Sequence, residues 1–600
     1  MPDGRYGMYR AEHPEPQFRR DSYECLNGIW EFEIGSGEGK TNCALASSIE
    51  VPFAPESVLS GVGEAGFFTD CVYSRLLRLT REDLKSRLAL HFGAVDYYAE
   101  VYLNGVPVCR HEGGYTPFAA VLNAAAREGE NRLTVVVHDD VRDNAPSGKQ
   151  SAKEHSFGCF YSRTTGIWQT VWLERTPQEY IRSVRFYPDA ERALVSAEIS
   201  AEGEGDLTVC VRYGGNIVGQ ISTGLSFRKR VEIPLSEKHL WEIGAGRLYD
   251  VEITFGQDKV YSYFGLRDVR YDGFRFLLNG RSVFQRLVLD QGYYPDGGYT
   301  APSAEAMRKD IALSRALGFN GARLHQKLFE PRYLYECDKA GYMVWGEFAS
   351  WGVRYDTLDA LGTFIAQWRE AVERDFNHPC IVQWCPLNEV WEDLDDRRKL
   401  RDVRFVEAVY ALTKALDDTR PCVDTSGGYH GRYTDLYDFH CYHTPEKLRE
   451  YVRAIEASGE LTMDTVYPPV PETVYDGKLP LNASEYGGVA FTVGGGGWGY
   501  RTSTSEEAFV GDYVAMTRAL LGCEKISGFC YTQLYDVEQE QNGLYTYDRR
   551  PKLGPEGMRR IAECNRGRAA IEREPGRGAD CKAFVGNIAE EDCSCSAMEK

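Results

Sequence analysis

The chain has 600 residues, more than one hydrophobic core usually serves, so its length predicts two to four domains. Its 69 Lys and Arg residues against 89 Asp and Glu residues give a formal net charge of −20. A protein that acidic is poorly matched to nucleic-acid phosphates or to anionic membranes. The hydrophobic fraction of 43% is that of a folded protein and argues against disorder.

Two features bear on the cellular compartment. The N-terminal MPDGRYGMYRAEHPEPQFRR contains no apolar stretch of the signal-peptide kind, and no run of about 18 apolar residues occurs anywhere. The 17 cysteines are scattered singly, and the Cys593–Cys595 pair has no companion at metal-ligand spacing. We therefore expect a cytoplasmic protein with reduced thiols and no membrane association.

The first 266 residues have the pattern of β-strands. Residues 1–176 contain short strands such as GIWEFEI and IWQTVWLE between turn signals, with a hairpin dipeptide at Asn104-Gly105. This pattern predicts a β-sandwich, which we assign to the jelly-roll type. Residues 177–266 continue at a strand spacing that predicts an immunoglobulin-like sandwich.

From residue 267 onward, short apolar strands alternate with helix-like stretches such as TFIAQWREAVERDF. Eight strand candidates follow one another: SVFQRLVLD, FNGARLH, YMVWGEFA, IVQWCPLNEV, PCVDTS, LYDFHCYH, PLNASEYGG and ISGFCYTQLYD. Eight βα units in about 300 residues predict a (β/α)8 TIM barrel over residues 267–574. A doubly wound sheet is the alternative, but no GxGxxG follows a strand. The polar residues 575–600 are predicted to form a tail.

In such a barrel the catalytic side chains lie at the carboxyl ends of the strands. Two acids, Glu389 and Glu485, end apolar strands four and seven, on opposite sides of the barrel mouth. A strand-end carboxylate can also cap a helix or pair with an arginine, but two facing carboxylates suit the hydrolysis of a glycosidic bond. Other polar and aromatic residues at strand ends or in the following loops are candidates to bind the substrate: Asp290, Arg323, His325, Asn388, His440, Tyr442, Trp498 and Tyr531.

Several motifs resemble glycoside hydrolase family 2, the β-galactosidase, β-glucuronidase and β-mannosidase family. Leu26-Asn27-Gly28-Ile29-Trp30 and Thr165-Gly166-Ile167-Trp168 are similar to its N-terminal sugar-binding domain. Asn377-His378-Pro379 leading to Asn388-Glu389 resembles its acid/base signature, and Ser484-Glu485-Tyr486-Gly487 resembles its nucleophile segment. The order and spacing of these motifs extend over nearly the whole chain.

The resemblance implies a retaining, exo-acting glycosidase. Glu389 would be the general acid and then the general base, which requires that it stays protonated near neutral pH, and Glu485 would be the ionised nucleophile. By the same resemblance Asn388 would bind the sugar 2-hydroxyl and Tyr442 would bond to the nucleophile. His440 and His325 are predicted to bind sugar hydroxyls, unless they are histidines satisfied by the protein. The two-carboxylate chemistry requires no metal or other cofactor.

The substrate sugar is less strongly indicated. After the first barrel strand the chain has RLVLDQGYYPDGG, where β-galactosidases of the family carry a His-Glu-rich stretch. Where β-glucuronidases carry an Asn-x-Lys pair for the sugar carboxylate, it has Asn542-Gly543-Leu544. Arg549, Arg550 and Lys327 are candidate substitutes, although a surface salt bridge is the expected fate of Lys327.

Because a uronate without a positioned cation would be poorly compensated, the sequence favours a neutral hexose and a β-galactosidase. The alternatives are a β-glucuronidase, a mannosidase or arabinosidase, and a carbohydrate-binding protein without catalysis. A carbohydrate or glycoconjugate is the expected partner, and a homo-oligomer is compatible with the sequence.

Overall fold

The computed structural model describes residues 9–390, 402–463, 471–491 and 497–573. Three hydrophobic cores organise these residues, one in each β-domain and one in the barrel. The predicted multidomain fold of two β-domains followed by a TIM barrel is confirmed. The predicted tail, residues 575–600, lies outside the described residues, and the domain boundaries stay predictions.

The first domain consists of two packed sheets. One has the strand order β1-β12-β5-β9 and the other β3-β2-β4-β10-β7-β8, and a short β6–β11 pair lies beside them. Alternate residues of the strands are buried between the sheets, for example Leu133, Val135 and Val137 of the tenth strand. The strands are β1 (Glu24–Cys25), β2 (Gly28–Ile34), β3 (Ser47–Val51), β4 (Asp70–Leu79), β5 (Arg87–Phe92), β6 (Val95–Asp96), β7 (Tyr98–Leu103), β8 (Val106–Glu112), β9 (Phe118–Val121), β10 (Gly129–His138), β11 (Gly166–Ile167) and β12 (Val171–Thr176).

The second domain is built on one long hairpin. Its strands are β13 (Tyr180–Asp189), β14 (Leu194–Tyr213), β15 (Asn216–Pro234), β16 (Tyr249–Phe255) and β17 (Asp258–Phe264). The register of β14 against β15 breaks between Ser200 and Glu204, and such a break lets a long strand bend around its core. Val209, Val211 and Ile253 are among the residues of that core.

The barrel follows a small antiparallel sheet of β18 (Val269–Asp272), β19 (Arg275–Leu278) and β20 (Arg281–Ser282). Its parallel strands are β21 (Gln285–Asp290), β22 (Gly321–Leu324), β23 (Met343–Glu347), β24 (Ile381–Cys385), β25 (Tyr437–Cys441), β26 (Leu481–Gly487) and β29 (Ile526–Thr532). A short pair, β27 (Val489–Ala490) and β28 (Arg501–Thr502), lies apart from them. The helices are α1 (Ala304–Ala316), α2 (Pro331–Ala340), α3 (Leu358–Asp375), α4 (Val403–Leu416), α5 (Pro445–Ser458), α6 (Glu506–Gly522) and α7 (Pro555–Asn565).

The parallel sheet has the order β24-β23-β22-β21-β29-β26-β25, which places first and last strands side by side. The predicted fifth strand, PCVDTS, forms two isolated bridges within the described residues, from Cys422 to Trp384 and from Ser426 to Asn388. Ser426 Oγ also donates to Asp438 Oδ2 of β25 at 2.8 Å, so this irregular segment fills the gap between β24 and β25. The prediction of a regular strand here was wrong, because backbone N–H groups of the segment donate to side chains instead of to a neighbouring strand: Cys422 to Asp435, Asp424 to Thr434 and Gly427 to Asp438.

The Asn-His-Pro motif before β24 joins the barrel to the second domain. The Asn377 side chain accepts from the Phe186 N–H and donates to the Val184 carbonyl, both at 2.8 Å. His378 Nδ1 lies 2.6 Å from Asp338 Oδ2. These contacts give the motif an architectural role.

None of the helices along the described ranges is long and apolar enough to span a membrane.

Candidate active site

The two predicted catalytic glutamates lie close together at the carboxyl end of the barrel. Glu485 is within β26, and Glu389 follows β24 in a loop. Glu389 has a φ of +41°, and its N–H donates to the Ser426 carbonyl at 2.7 Å, so the irregular fifth segment holds it in the left-handed conformation. A carboxylate oxygen of Glu389 and one of Glu485 lie within 4.8 Å of each other.

His440 lies between the two carboxylates. Its Nδ1 is 2.5 Å from Glu389 Oε1 and 3.5 Å from Glu485 Oε2, and its Nε2 is 3.0 Å from Ser426 Oγ. Burial opposes the charge on its ring, but Glu485 and Glu389 raise the pKa of His440 above its usual value. We expected this histidine to bind sugar hydroxyls, whereas the structure has it bridging the two acids.

The surroundings of Glu485 favour its ionised form. Arg323 Nη1 donates to Glu485 Oε1 at 2.9 Å, and the Tyr442 hydroxyl donates to the other oxygen. Burial by itself would raise the pKa of Glu485, but His440 and Arg323 overcome this and lower it to about 2. Glu485 is therefore a carboxylate at every pH at which the protein is expected to work, as a nucleophile requires.

Arg323 was predicted to bind substrate, and the structure places it differently. The guanidinium is fully buried and is occupied by Glu347, Glu485 and the side-chain oxygen of Asn388. Because its donors are already used by the protein, Arg323 is a positioning residue that holds three groups of the site in register. Its partner Glu347 ends β23 and is also buried.

His325 lies between Glu347 and Glu485. Its Nδ1 is 2.9 Å from Glu347 Oε1 and its Nε2 is 4.0 Å from Glu485 Oε1. Burial, together with the charges of Lys149 and Arg323, lowers the pKa of His325 well below its usual value. A neutral imidazole here can bind a sugar hydroxyl, so the predicted role remains a prediction.

Asn388 keeps one donor for a ligand. Its Oδ1 accepts from Arg323 and its N–H donates to Ser350 Oγ at 3.0 Å. Its Nδ2 is buried and has no hydrogen-bond partner among the residues that the structure describes. A buried donor left unpaired costs free energy, so this geometry supports the predicted contact with a sugar hydroxyl.

Aromatic rings line one side of the site. The Tyr442 hydroxyl donates to Glu485 and is 3.3 Å from Thr532 Oγ1, and its ring stacks on Tyr500 at 3.5 Å. The Trp498 ring lies 5.0 Å from the Tyr500 ring, so Trp498 packs behind Tyr500 at the edge of the site.

Tyr531 was predicted to bind substrate, and its position is a correction. The ring is buried 4.6 Å from Tyr513 of α6 and 5.3 Å from Tyr486, in the layer between strands and helices. Side chains along a strand point alternately to opposite faces. It is therefore the next residue, Thr532, whose side chain approaches Tyr442 in the site.

Asp290 also differs from its predicted role in binding substrate. Its carboxylate accepts from the Tyr333 hydroxyl at 2.8 Å, from the Gly292 N–H at 2.9 Å and from the Tyr535 hydroxyl. Because its carboxylate oxygens already accept from these three groups of the protein, Asp290 supports the loop after β21.

Two groups of side chains have atoms close enough for a metal ion within the described part of the chain. One is Glu389, His440 and Glu485, whose spacing is explained by the histidine between two carboxylates. The other is Asp338, His378 and Cys380, where Asp338 already accepts from His378 Nδ1 and the Cys380 N–H. The spacing of both groups is therefore explained without a metal ion. That the mechanism needs no metal stays a prediction.

Sequence reasoning missed two functional candidates. Glu347 was recognisable as a strand-end acid, but only the fold reveals that it holds Arg323. Lys149 belongs to the first domain, between β10 and β11, and no motif marks it.

A TIM barrel that carries two buried glutamates at its carboxyl end, beneath a sugar-binding β-sandwich, is the architecture of a glycoside hydrolase. The chain belongs to glycosyl hydrolases family 2. The model of the family's sugar binding domain matches residues 63–177, and that of its TIM barrel domain matches residues 272–560. The chain is therefore a family 2 glycosidase.

Several proteins similar to this chain are β-glucuronidases. That of Canis lupus familiaris is 25% identical over 469 residues, 69% of each chain, and that of Streptococcus agalactiae is 23% identical over 479 residues, 70% of this chain and 78% of its own. Among solved structures, a β-glucuronidase of an uncultured Clostridium sp. has a TM-score of 0.76 at 22% identity, covering 92% of this chain and 99% of its own. That of Lactobacillus rhamnosus has a TM-score of 0.77 at 21% identity, covering 92% and 98%.

Proposed function

We propose that the protein is a retaining, exo-acting β-glycosidase that releases terminal β-D-glucuronosyl residues. The observation that carries the mechanism is the separation of less than 4.8 Å between oxygens of Glu389 and Glu485. Retaining enzymes hold their carboxyl groups about 5–5.5 Å apart, whereas inverting enzymes leave room for a water molecule between them. The sugar is proposed from the β-glucuronidases to which the chain is similar, in place of the neutral hexose that the sequence favoured.

In the first step Glu485 attacks the anomeric carbon. Its Oε forms a bond to C1 while the bond from C1 to the leaving oxygen breaks, and Glu389 transfers its proton to that oxygen. The charge of Glu485 is neutralised as the glycosyl ester forms. Tyr442, which donates to Glu485 in the free enzyme, is then available to the ring oxygen of the sugar.

In the second step a water molecule attacks C1 of the glycosyl-enzyme. Glu389, now a carboxylate, accepts the proton of that water, and Glu485 leaves as a carboxylate. His440 contacts both acids, so its positive charge stabilises whichever glutamate is ionised at each stage. Asn388 Nδ2 donates to the 2-hydroxyl, a contact that strengthens in the transition state.

The test is a set of initial rates on p-nitrophenyl β-glycosides: glucuronide, galactoside, glucoside, mannoside and α-arabinoside. The glucuronide is expected to have the highest kcat/KM, and NMR is expected to show the β-anomer of the sugar as first product. Glu485→Gln should lower kcat by about 10⁴-fold or more, as removal of a nucleophile does.

Four results would contradict the proposal. A galactoside that reacts faster than the glucuronide would restore the neutral-hexose prediction. An α-anomer as first product would rule out retention. Full activity of Glu485→Gln would rule out this residue as the nucleophile, and cleavage of no substrate would favour a binding protein.

A further inference from the structure

A β-glucuronidase must neutralise the carboxylate of its sugar, and the three cations expected from the sequence are already paired. Arg550 is exposed and pairs with Asp548. Lys327 is buried, not at the surface, and its Nζ donates to the Gly292 and Tyr299 carbonyls at 2.6 Å each. Arg549 forms a bidentate pair with Asp310 at 3.0 and 3.1 Å. A hexuronate at the active site therefore needs a different cation.

Lys149 of the first domain is such a cation. Only 5% of its surface is exposed, and its Nζ lies 5.5 Å from the Trp351 ring and 5.7 Å from the Tyr161 ring. No hydrogen bond and no ion pair within 4.0 Å joins Nζ to any residue that the structure describes. A largely buried lysine whose ammonium has no protein acceptor leaves its three N–H donors available to a ligand.

The neighbours of Lys149 place it at the catalytic end of the barrel. The Trp351 Nε1–H donates to the Asn388 carbonyl at 3.2 Å, directly before Glu389. The Tyr161 hydroxyl donates to Glu540, which follows β29. Lys149 therefore lies between the acid/base loop and the loop that follows the last barrel strand.

Four ionisable groups of the site act on Lys149. Burial opposes its charge, but Glu540, Cys159, Glu485 and Glu389 together raise the pKa of Lys149. The three carboxylates already have other partners: Glu540 accepts from Asn542 Nδ2 at 2.9 Å as well as from Tyr161, Glu485 from Arg323, and Glu389 contacts His440. Lys149 thus stays protonated while its three donors remain uncommitted to the protein.

The backbone around Lys149 is fixed against the barrel. The Gly148 N–H donates to the Trp351 carbonyl at 3.1 Å, and the Tyr161 N–H donates to the Lys149 carbonyl at 2.8 Å. Gly148 has a φ of +59°, and a Cβ there would come within 2.2 Å of the Gln326 carbonyl. Only glycine allows this close approach, so the ammonium is held at the barrel mouth by a rigid loop.

We propose that Lys149 binds the C6 carboxylate of the hexuronic acid at the catalytic site, in the place of the family's lysine after the nucleophile. The first domain would then supply the residue that selects the sugar, while the barrel supplies the chemistry. This inference rests on the proposed function, which it deepens.

The experiment compares wild type, Lys149→Gln and Lys149→Arg on p-nitrophenyl β-D-glucuronide and β-D-glucoside, which differ only at C6. Lys149→Gln is expected to lower kcat/KM about 100-fold on the glucuronide and less than about threefold on the glucoside, because only the former loses a charged partner. Lys149→Arg should recover at least a tenth of the glucuronide activity. Competitive inhibition by free D-glucuronate, compared with D-glucose, should weaken in Lys149→Gln in the same proportion.

Lys153→Gln is the matched control, an exposed lysine of the same loop, and should leave both rates unchanged. A thermal midpoint of Lys149→Gln at or above that of wild type shows that the variant is folded. Glucuronide activity that is unchanged in Lys149→Gln would overturn the inference and leave the proposed function standing. An equal loss on both substrates would also overturn it, because Lys149 would then act on the catalytic carboxylates. A wild type that cleaves no glucuronide and is not inhibited by glucuronate would overturn the proposed function and the inference together.

Discussion

His440 shows how one side chain can control two acids. It contacts Glu389 and also lies 3.5 Å from Glu485. Among the neighbouring charges, His440 lowers the pKa of Glu485 the most. The raised pKa of His440 and the lowered pKa of Glu485 have the same origin, since each charged form stabilises the other. The two groups therefore titrate as a coupled unit.

This coupling predicts a pH effect at the level of single residues. The pKa of Glu485 is about 2 in wild type, so this residue imposes no acidic limit on activity above about pH 3. In His440→Gln the pKa of Glu485 should rise, and the acidic limb of kcat/KM should move toward pH 4.5. The profile of kcat/KM against pH on an aryl glycoside measures the shift.

The alkaline limb gives the second half of the same test. In wild type the positive charge of His440 is lost as pH rises through its raised pKa, so activity should fall on that side. His440→Gln cannot show this loss. An acidic limb that stays at the wild-type position in the variant would mean that Arg323 alone sets the ionisation of Glu485.

Among the structural elements, the irregular fifth segment is the least expected. Cys422 forms a bridge to Trp384 of β24, and Ser426 forms one to Asn388 in the loop after that strand. His430, which follows, connects the segment to β25. His430 Nδ1 is 2.7 Å from Asp424 Oδ1 and its Nε2 is 3.1 Å from Asp438 Oδ1, with all three side chains buried. Here a buried triad of charged side chains connects the segment to β25, where a regular strand would form backbone hydrogen bonds.

This triad predicts that stability depends on pH. Burial opposes the charge, but Asp424 and Asp438 raise the pKa of His430 to about 10, and the pKa of Asp438 falls to about 2. The stabilisation from a histidine with a raised pKa is complete below about pH 6.5 and is lost as pH rises to about 10. His430→Gln should lower the free energy of unfolding by about 3–5 kcal/mol at pH 6, and by less near pH 10.

Urea unfolding followed by tryptophan fluorescence measures this difference. His239→Gln is the control, because His239 is only half-buried and pairs with the exposed Glu237 at 2.8 Å, so its loss should change stability by less than about 1 kcal/mol. Equal destabilisation of His430→Gln at pH 6 and pH 10 would show that packing, not charge, explains the effect.

For the whole molecule, the three domains are joined by buried polar contacts. Arg20 lies between the first and second domains, where it pairs with Asp258 at 2.9 Å and Glu174 at 3.0 Å. Asn377 joins the second domain to the barrel, and Tyr161 joins the first domain to Glu540. The catalytic site therefore depends on how the three domains pack against one another, and these contacts between domains maintain that packing.

Arg20→Ala tests this arrangement. It would leave the buried carboxylates of Asp258 and Glu174 without their partner, and the free energy of unfolding should fall by about 3–5 kcal/mol. The neighbouring Arg19, whose pair with Asp21 is exposed and 3.9 Å apart, provides the control: Arg19→Ala should cost less than about 1 kcal/mol. Denaturant unfolding measures both, and similar effects of the two changes would contradict the proposed role of Arg20.

The homo-oligomer and the cytoplasmic location stay predictions.

Local patterns along the chain were sufficient for the architecture and for the two acids. Strand and helix periods depend on neighbouring residues, so the succession of β-domains and barrel could be predicted from them. Glu389 and Glu485 could be found because a barrel gathers the ends of its strands at one face, wherever they lie in the sequence.

Contacts between residues far apart in the chain decided the rest. The occupation of Arg323 by Glu347 and Glu485, the position of His440 between two acids and the outward turn of Tyr531 depend on side-chain directions that no spacing reveals. Lys149 is the extreme case: it lies in a loop of another domain, and only the packing of that loop on the barrel brings its charge to the site. The sequence by itself determined which elements form and which acids they carry. The tertiary structure decided the partner of each charge, because electrostatic partners are chosen by distance in space.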